Sequence, residues 1–130
     1  MITHVFISAE TRSNNPRQNL EASEALSEEL EALGVKFSAC IGVYEGTEES
    51  SFMVNVSDAQ KARGIITQLF NLAQDYEQDA IIILSGTIAR LYFTNGAISD
   101  AAASVEWVNR KPVGDYTEVI GESRFLKVRF

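Results

Sequence analysis

Two kinds of apolar pattern alternate along the chain and predict a protein that contains both helices and strands. Ile2 to Ala9 form a short, largely apolar run, which is typical of a strand buried on both faces. Between Arg17 and Leu33, apolar residues recur at helical spacing with glutamates on the opposite face, and Gly34 follows where a helix would end. A second helical pattern covers Asp58 to Tyr76.

The remaining apolar runs are short and predict strands. They cover Val35 to Tyr44, Ser51 to Val56, Ala80 to Leu84, Thr87 to Thr94, Ala103 to Asn109, Tyr116 to Ile120 and Arg124 to Phe130. The first six elements follow the ferredoxin-like βαββαβ order. We therefore predict an α+β fold over residues 1–130 as a single domain: an antiparallel sheet with two helices on one face, plus C-terminal strands.

The composition narrows the classes of function. The net charge is -7, from 18 acidic and 11 basic residues, which argues against nucleic-acid or membrane-surface binding because both need a basic face. The single cysteine, Cys40, cannot form an internal disulfide, so a reducing compartment is favoured. Residues 1–10 lack a signal-peptide pattern, and no apolar run is long enough to span a bilayer. We expect a cytoplasmic protein.

The common catalytic motifs are missing from the sequence. One histidine, His4, and one cysteine are too few for a conventional zinc site, and no glycine-rich phosphate-binding motif occurs. We therefore expect no metal and no cofactor, and any reaction would use carboxylates, hydroxyls and backbone groups.

A tyrosine and two glutamates lie in and around a short turn between two predicted strands. Tyr44 ends one strand, Glu48 and Glu49 nearly begin the next, and such positions can approach each other in a hairpin. A phenol ring and a carboxylate together can hold an ammonium or sulfonium group. The more common arrangement with the same residues is a solvated acidic turn with a tyrosine at its rim.

A polar segment follows the first predicted strand, at a place where loops often contact ligands. Arg12 can hold a carboxylate through two parallel hydrogen bonds. Ser8, Ser13 and Asn14 add small hydrogen-bonding groups. A polar loop that caps the following helix explains these residues equally well.

Three segments together resemble the small phage enzymes that degrade S-adenosylmethionine, now regarded as S-adenosylmethionine lyases and once called hydrolases. The segments are Val5 to Ala9 with Arg12 to Asn14, Gly42 to Tyr44 with Thr47 to Glu49, and Asn71 to Leu84 followed by Leu91 to Gly96. They cover about residues 5 to 96 in the order of the family, and their order and spacing carry more weight than each short motif. Only Glu45 and Gly46 separate Tyr44 from Thr47, a shorter turn than the family has.

The resemblance implies a specific reaction. The carboxylate of S-adenosylmethionine would attack its own γ-carbon and release 5′-methylthioadenosine and homoserine lactone. Tyr44 would position the methionine tail or face the sulfonium, and Glu49 would hold the α-ammonium, with Glu48 as a substitute. The resemblance also implies a homotrimer with sites between subunits, an anti-restriction role in the host cell, and possible contact with host S-adenosylmethionine synthetase.

Two other functions remain compatible with the sequence. The chain could be a non-catalytic, trimeric module that binds a small ligand in the same place. It could also be an acidic mimic of DNA that blocks a restriction enzyme, although its basic residues are interspersed among the acidic ones. The sequence alone does not separate a lyase from a hydrolase, since both act on the same substrate.

Overall fold

Eight antiparallel strands close into a barrel, and helices pack against part of its outer surface. The structure, a computed structural model, describes residues 2–98 and 103–129, apart from the side chains of Tyr44, Ala103 and Arg129. The strands are β1 (Thr3–Ile7), β2 (Lys36–Tyr44), β3 (Thr47–Val56), β4 (Ala80–Ser85), β5 (Ile88–Phe93), β6 (Ala103–Val108), β7 (Tyr116–Val119) and β8 (Arg124–Arg129). The helices of this described part are α1 (Pro16–Ala32), α2 (Asp58–Ala62) and α3 (Ile65–Asp75), none of them long and apolar enough to cross a membrane.

The order of the strands shows that the predicted ferredoxin-like fold, with two helices on one face of a sheet, is wrong. The strands follow one another as β1-β3-β2-β7-β8-β6-β5-β4, and β4 pairs with β1 to close the ring. The C-terminal strands are therefore part of the barrel wall rather than an addition to a finished sheet. Closure pairs the two edges that an open sheet would leave exposed.

The barrel interior holds one of two apolar clusters. Each of the eight strands contributes one buried member: Phe6, Cys40, Met53, Leu84, Ala89, Val105, Val119 and Leu126. Burial raises the pKa of the Cys40 thiol to about 12, so this cysteine stays protonated and packs as a small apolar residue.

The second cluster lies between the helices and the outer face of β1, β3 and β4. Leu26 and Leu30 of α1 and Leu69 of α3 are fully buried there. Strand β1 contributes to both clusters, since Val5 contacts the helices while Phe6 points into the barrel. This explains why its sequence is apolar without alternation.

The predicted helix over Asp58 to Tyr76 is two helices. Ser57 caps α2 with the expected capping box, in which Gln60 is the partner. Gly64 then adopts φ 79°, a left-handed conformation that interrupts the helical hydrogen bonds before α3 begins. Glycine adopts this conformation readily, and Gly64 is the only glycine between Asp58 and Tyr76, so the break between the two helices lies at this residue.

Replacing Gly64 with alanine should lower the free energy of unfolding by about 1–2 kcal/mol, because a β-carbon disfavours left-handed backbone. No atom lies within 4 Å of the position a β-carbon would take, so the cost comes from the backbone and not from a clash. Urea denaturation should show a lower midpoint with an unchanged slope. Gly64→Asn is the control and should cost less, since asparagine tolerates this conformation; equal losses for both variants would contradict the explanation.

Candidate active site

A large cleft opens at the end of the barrel where β1 and β2 finish and β3 and β4 begin. Its volume is about 1080 Å³. Its floor is the apolar barrel interior, formed by Phe6, Ile82, Ala89, Leu91, Val105 and Leu126. Its polar rim comes from Ser8 and from residues 10–14, 47–49 and 77–79. An apolar floor with a few convergent polar groups is typical of a small-molecule site.

The β2–β3 hairpin places Glu49 at the rim of this cleft. Glu45 and Gly46 form its two-residue turn with φ 51° and 79°, the left-handed pair that matches the twist of a hairpin. The register sets Glu49 opposite Gly42 and Tyr44 opposite Thr47. Glu49 is therefore not the direct backbone partner of Tyr44, but lies two residues along β3 from that partner.

The side chain of Tyr44 is outside the described part of the structure, and only its backbone is placed. Its proposed contact with a sulfonium or with the methionine tail therefore stays a prediction.

The carboxylate of Glu49 has an unusual electrostatic environment. Its pKa is raised above the ordinary value of 4.5, chiefly because partial burial at the cleft removes water from the charged form. Hydrogen bonding with Ser8 and the positive charge of Arg12 lower the pKa, whereas the negative charge of Glu10 raises it. The residue as a whole remains exposed at the rim, so a bound cation can reach its carboxylate and stabilise the charged form.

The loop after β1 is fastened to β3 next to Glu49. The Ser8 hydroxyl donates to the Ser50 carbonyl at 2.7 Å and accepts from the Glu10 backbone N–H at 3.1 Å. The Glu10 carboxylate accepts from the Ser50 backbone N–H at 2.7 Å. Ser8 is 7% exposed and has one hydroxyl proton, so it can donate to Glu49 only by leaving the Ser50 carbonyl.

Asn19 of α1 holds the outer part of the same loop. It accepts from the Thr11 backbone N–H at 2.9 Å and donates to the Thr11 carbonyl at 3.2 Å. Ser13 pairs its hydroxyl with that of Thr11 at 3.2 Å, and Asn14 donates its backbone N–H to the Thr11 carbonyl at 3.3 Å. The loop therefore presents Arg12 from a braced backbone.

The structure brings most of the predicted site residues to one place. Six of them line the cleft: Ser8, Arg12, Ser13, Asn14, Glu48 and Glu49. Glu48 lies opposite Val43, one residue before Glu49. The two glutamate side chains therefore leave the hairpin on opposite faces. The individual roles of these residues stay predictions.

Sequence reasoning missed a third segment of the rim. Glu77 and Asp79 both line the cleft, together with Gln78. The Gln78 side chain donates to the Glu10 carbonyl at 2.8 Å and so ties this segment to the loop after β1. Arg90 of β5 also lines the cleft. The only signal in the sequence was position, since residues 77–79 directly precede a strand.

The charges around the cleft favour a ligand that is mainly cationic. Among the described lining residues, the acidic side chains are Glu10, Glu48, Glu49, Glu77 and Asp79, and the basic ones are Arg12 and Arg90. A ligand with ammonium or sulfonium groups and one carboxylate would complement both signs.

Comparison with known proteins agrees with this chemistry. The model of the S-adenosylmethionine lyase family matches residues 5–127, which includes every element of the barrel wall from β1 to β8 at least in part. No individual curated protein matches the chain. The match supports degradation of S-adenosylmethionine as the general activity. The chain belongs to the S-adenosylmethionine lyase family.

Proposed function

We propose that this protein cleaves S-adenosylmethionine by an intramolecular reaction. The substrate carboxylate forms a bond to its own γ-carbon while the bond from that carbon to sulfur breaks. The bonding electron pair stays on sulfur, so the sulfonium becomes the neutral thioether of 5′-methylthioadenosine. The remainder closes to homoserine lactone. Atoms and charge balance without water or an external electron acceptor.

The single observation that carries this proposal is the position of Glu49. Its carboxylate, with a raised pKa, lies at the rim of a cleft with an apolar floor and beside the charge of Arg12. A cationic substrate group there would relieve the unfavourable environment of the carboxylate. We assign the α-ammonium to Glu49, with Glu48 as the substitute, and assign to Arg12 the orientation of the substrate carboxylate before attack.

The apolar floor suits the change of charge during the reaction. A carboxylate and a sulfonium neutralise each other as the new bond forms, so the transition state is less polar than the bound substrate. A site that excludes water therefore favours the transition state over the ground state. Folding the methionine tail so that carboxylate and γ-carbon are already close can supply much of the remaining rate enhancement.

The first experiment is to incubate the purified protein with S-adenosylmethionine and identify the products by mass spectrometry. We expect 5′-methylthioadenosine and homoserine lactone, with no oxygen incorporated from isotopically labelled water in the lactone first formed. Homoserine that carries label from the outset would identify a hydrolase. Unchanged substrate that nevertheless binds would identify a non-catalytic binding module and contradict the proposal.

We also propose a homotrimer whose sites lie between subunits. The rim residues Arg12, Glu48 and Glu49 are exposed in the single chain, which suits a site that a neighbouring subunit completes. Sedimentation equilibrium should give three times the mass of one chain, and a monomer that is fully active would contradict this.

The proposed biological role is phage anti-restriction in the host cytoplasm. Depletion of S-adenosylmethionine would deprive host methyltransferases and those restriction systems that require it. Contact with host S-adenosylmethionine synthetase belongs to the same proposal, and co-purification of the two proteins from the host would test it.

A further inference from the structure

A second, separate cavity lies on the outer face of the barrel, between the α2–α3 segment and strands β1 and β4. Its volume is about 400 Å³. Its walls include Ile66 and Phe70 of α3 and Ile83 of β4. None of its lining residues belongs to the rim or floor of the cleft described above, so we call it the outer groove and treat it as independent of the proposed reaction.

The base of the outer groove holds a polar atom without a partner. Thr3 of β1 is 1% exposed, and its hydroxyl oxygen makes no hydrogen bond to any described residue. A buried hydroxyl that lacks a partner destabilises the folded state, and native proteins rarely keep one. A ligand atom that accepts a hydrogen bond in the groove would remove this cost.

The strand register shows that the groove has one polar end. Thr3 is opposite Val56, and α2, which carries Lys61, begins two residues after Val56. Strand β4 ends at Ser85 next to Leu84, which is opposite His4, so Ser85 also lies at the Thr3 end. Thr3, Ser85 and Lys61 therefore gather at one end, while the isoleucine and phenylalanine side chains line the length of the groove.

Lys61 brings an ammonium group to this polar end. Its ammonium lies 3.7 Å from Asp58 Oδ1, a long and exposed contact of the kind that contributes little to stability. An ammonium has three donors, so it can bind a second acceptor in the groove. The Lys61 side chain is 35% exposed, which leaves it accessible to a ligand.

We propose that the outer groove binds a small amphiphilic carboxylate. The carboxylate would accept hydrogen bonds from the Thr3 hydroxyl and the Lys61 ammonium, and the hydrocarbon chain would pack along Ile66, Phe70 and Ile83. Ile81 and Ser85 are four residue steps apart along β4, a length of about 13 Å that accommodates a hydrocarbon chain of medium length.

An amide NMR titration of the full chain with octanoate tests this proposal. Octanoate should shift resonances of α3 and β4, whereas octylammonium, with the same chain and the opposite charge, should not. Thr3→Val should weaken octanoate binding about tenfold, since the lost hydrogen bond is to a charged group. Lys61→Gln should weaken it several-fold, and Lys36→Gln, on β2 away from the groove, should leave it unchanged.

The melting temperature of the ligand-free Thr3→Val variant shows whether the variant is folded. Valine has nearly the shape of threonine and removes the unpaired hydroxyl, so the ligand-free variant should melt a few degrees higher than the parent. Equal octanoate affinity of Thr3→Val and the parent would overturn the proposal, as would octanol binding as tightly as octanoate. Groove resonances that shift with protein concentration alone would also overturn it, because a second copy of the chain would then cover the groove.

Discussion

Replacing Glu49 with glutamine should lower kcat/KM for S-adenosylmethionine by about 100-fold, because it removes the charge assigned to the substrate ammonium while keeping the shape of the side chain. The loop after β1 is held through Ser50 by the Ser8 hydroxyl and the Glu10 carboxylate, not by residue 49, so it should stay in place in the variant. Initial rates of 5′-methylthioadenosine formation measure the effect. Glu48→Gln is the matched control and should lose far less.

The stability of the Glu49→Gln variant separates a loss of function from a loss of fold. The folded-state pKa of Glu49 is raised, so this carboxyl group favours the folded state at low pH and loses that contribution as the pH rises through the raised value. At neutral pH the uncharged glutamine should therefore leave the melting temperature equal or higher. A folded variant with normal activity would contradict the assignment, and loss of activity in Glu48→Gln alone would transfer the role to Glu48.

The assignment of the substrate ammonium to Glu49 also predicts how the activity of the parent enzyme depends on pH. Protonation of Glu49 removes the charge that holds the ammonium, so kcat/KM should fall on the acid side at a pH above 4.5, the ordinary pKa of glutamate. The Glu49→Gln variant should lack this acid limb.

The local elements of this fold could be predicted from the sequence, but their assembly could not. Apolar spacing located α1 and the strands because each pattern depends on neighbours in the chain. Closure of the barrel depends on pairs such as Cys40 with Val119, which are far apart in sequence and carry no local mark. The apolar β1 strand did predict burial on both faces, and the structure shows that Phe6 is covered by the barrel interior, not by a second helix layer.

The candidate site shows the same division. Ser8, Arg12 and Glu49 could be predicted because they lie at strand ends and carry groups suited to a zwitterionic ligand. Gln78 could not, because its role at the rim depends on a hydrogen bond to Glu10, which lies on a different segment. Pairing of β1 with β4 brings those segments together, and that pairing is a property of the whole barrel.

Leu126→Ala should lower the free energy of unfolding of the whole protein by about 3 kcal/mol. Leu126 of β8 is 3% exposed and packs inside the barrel with Phe6 and Met53, which belong to N-terminal strands. Its loss should therefore weaken both halves of the chain together. Fluorescence of Trp107 in β6 reports the C-terminal strands, and far-ultraviolet circular dichroism reports the helices, so both signals should shift to the same lower denaturant midpoint.

Leu20→Ala is the matched control, because it removes the same atoms from a side chain of α1 that is 60% exposed. It should change stability by no more than about 0.5 kcal/mol. If Leu126→Ala moved the tryptophan transition but left the helical transition in place, the C-terminal strands would form a separate unit. The barrel explanation requires the opposite, because a ring of strands around one interior cluster cannot lose β8 and keep that cluster packed.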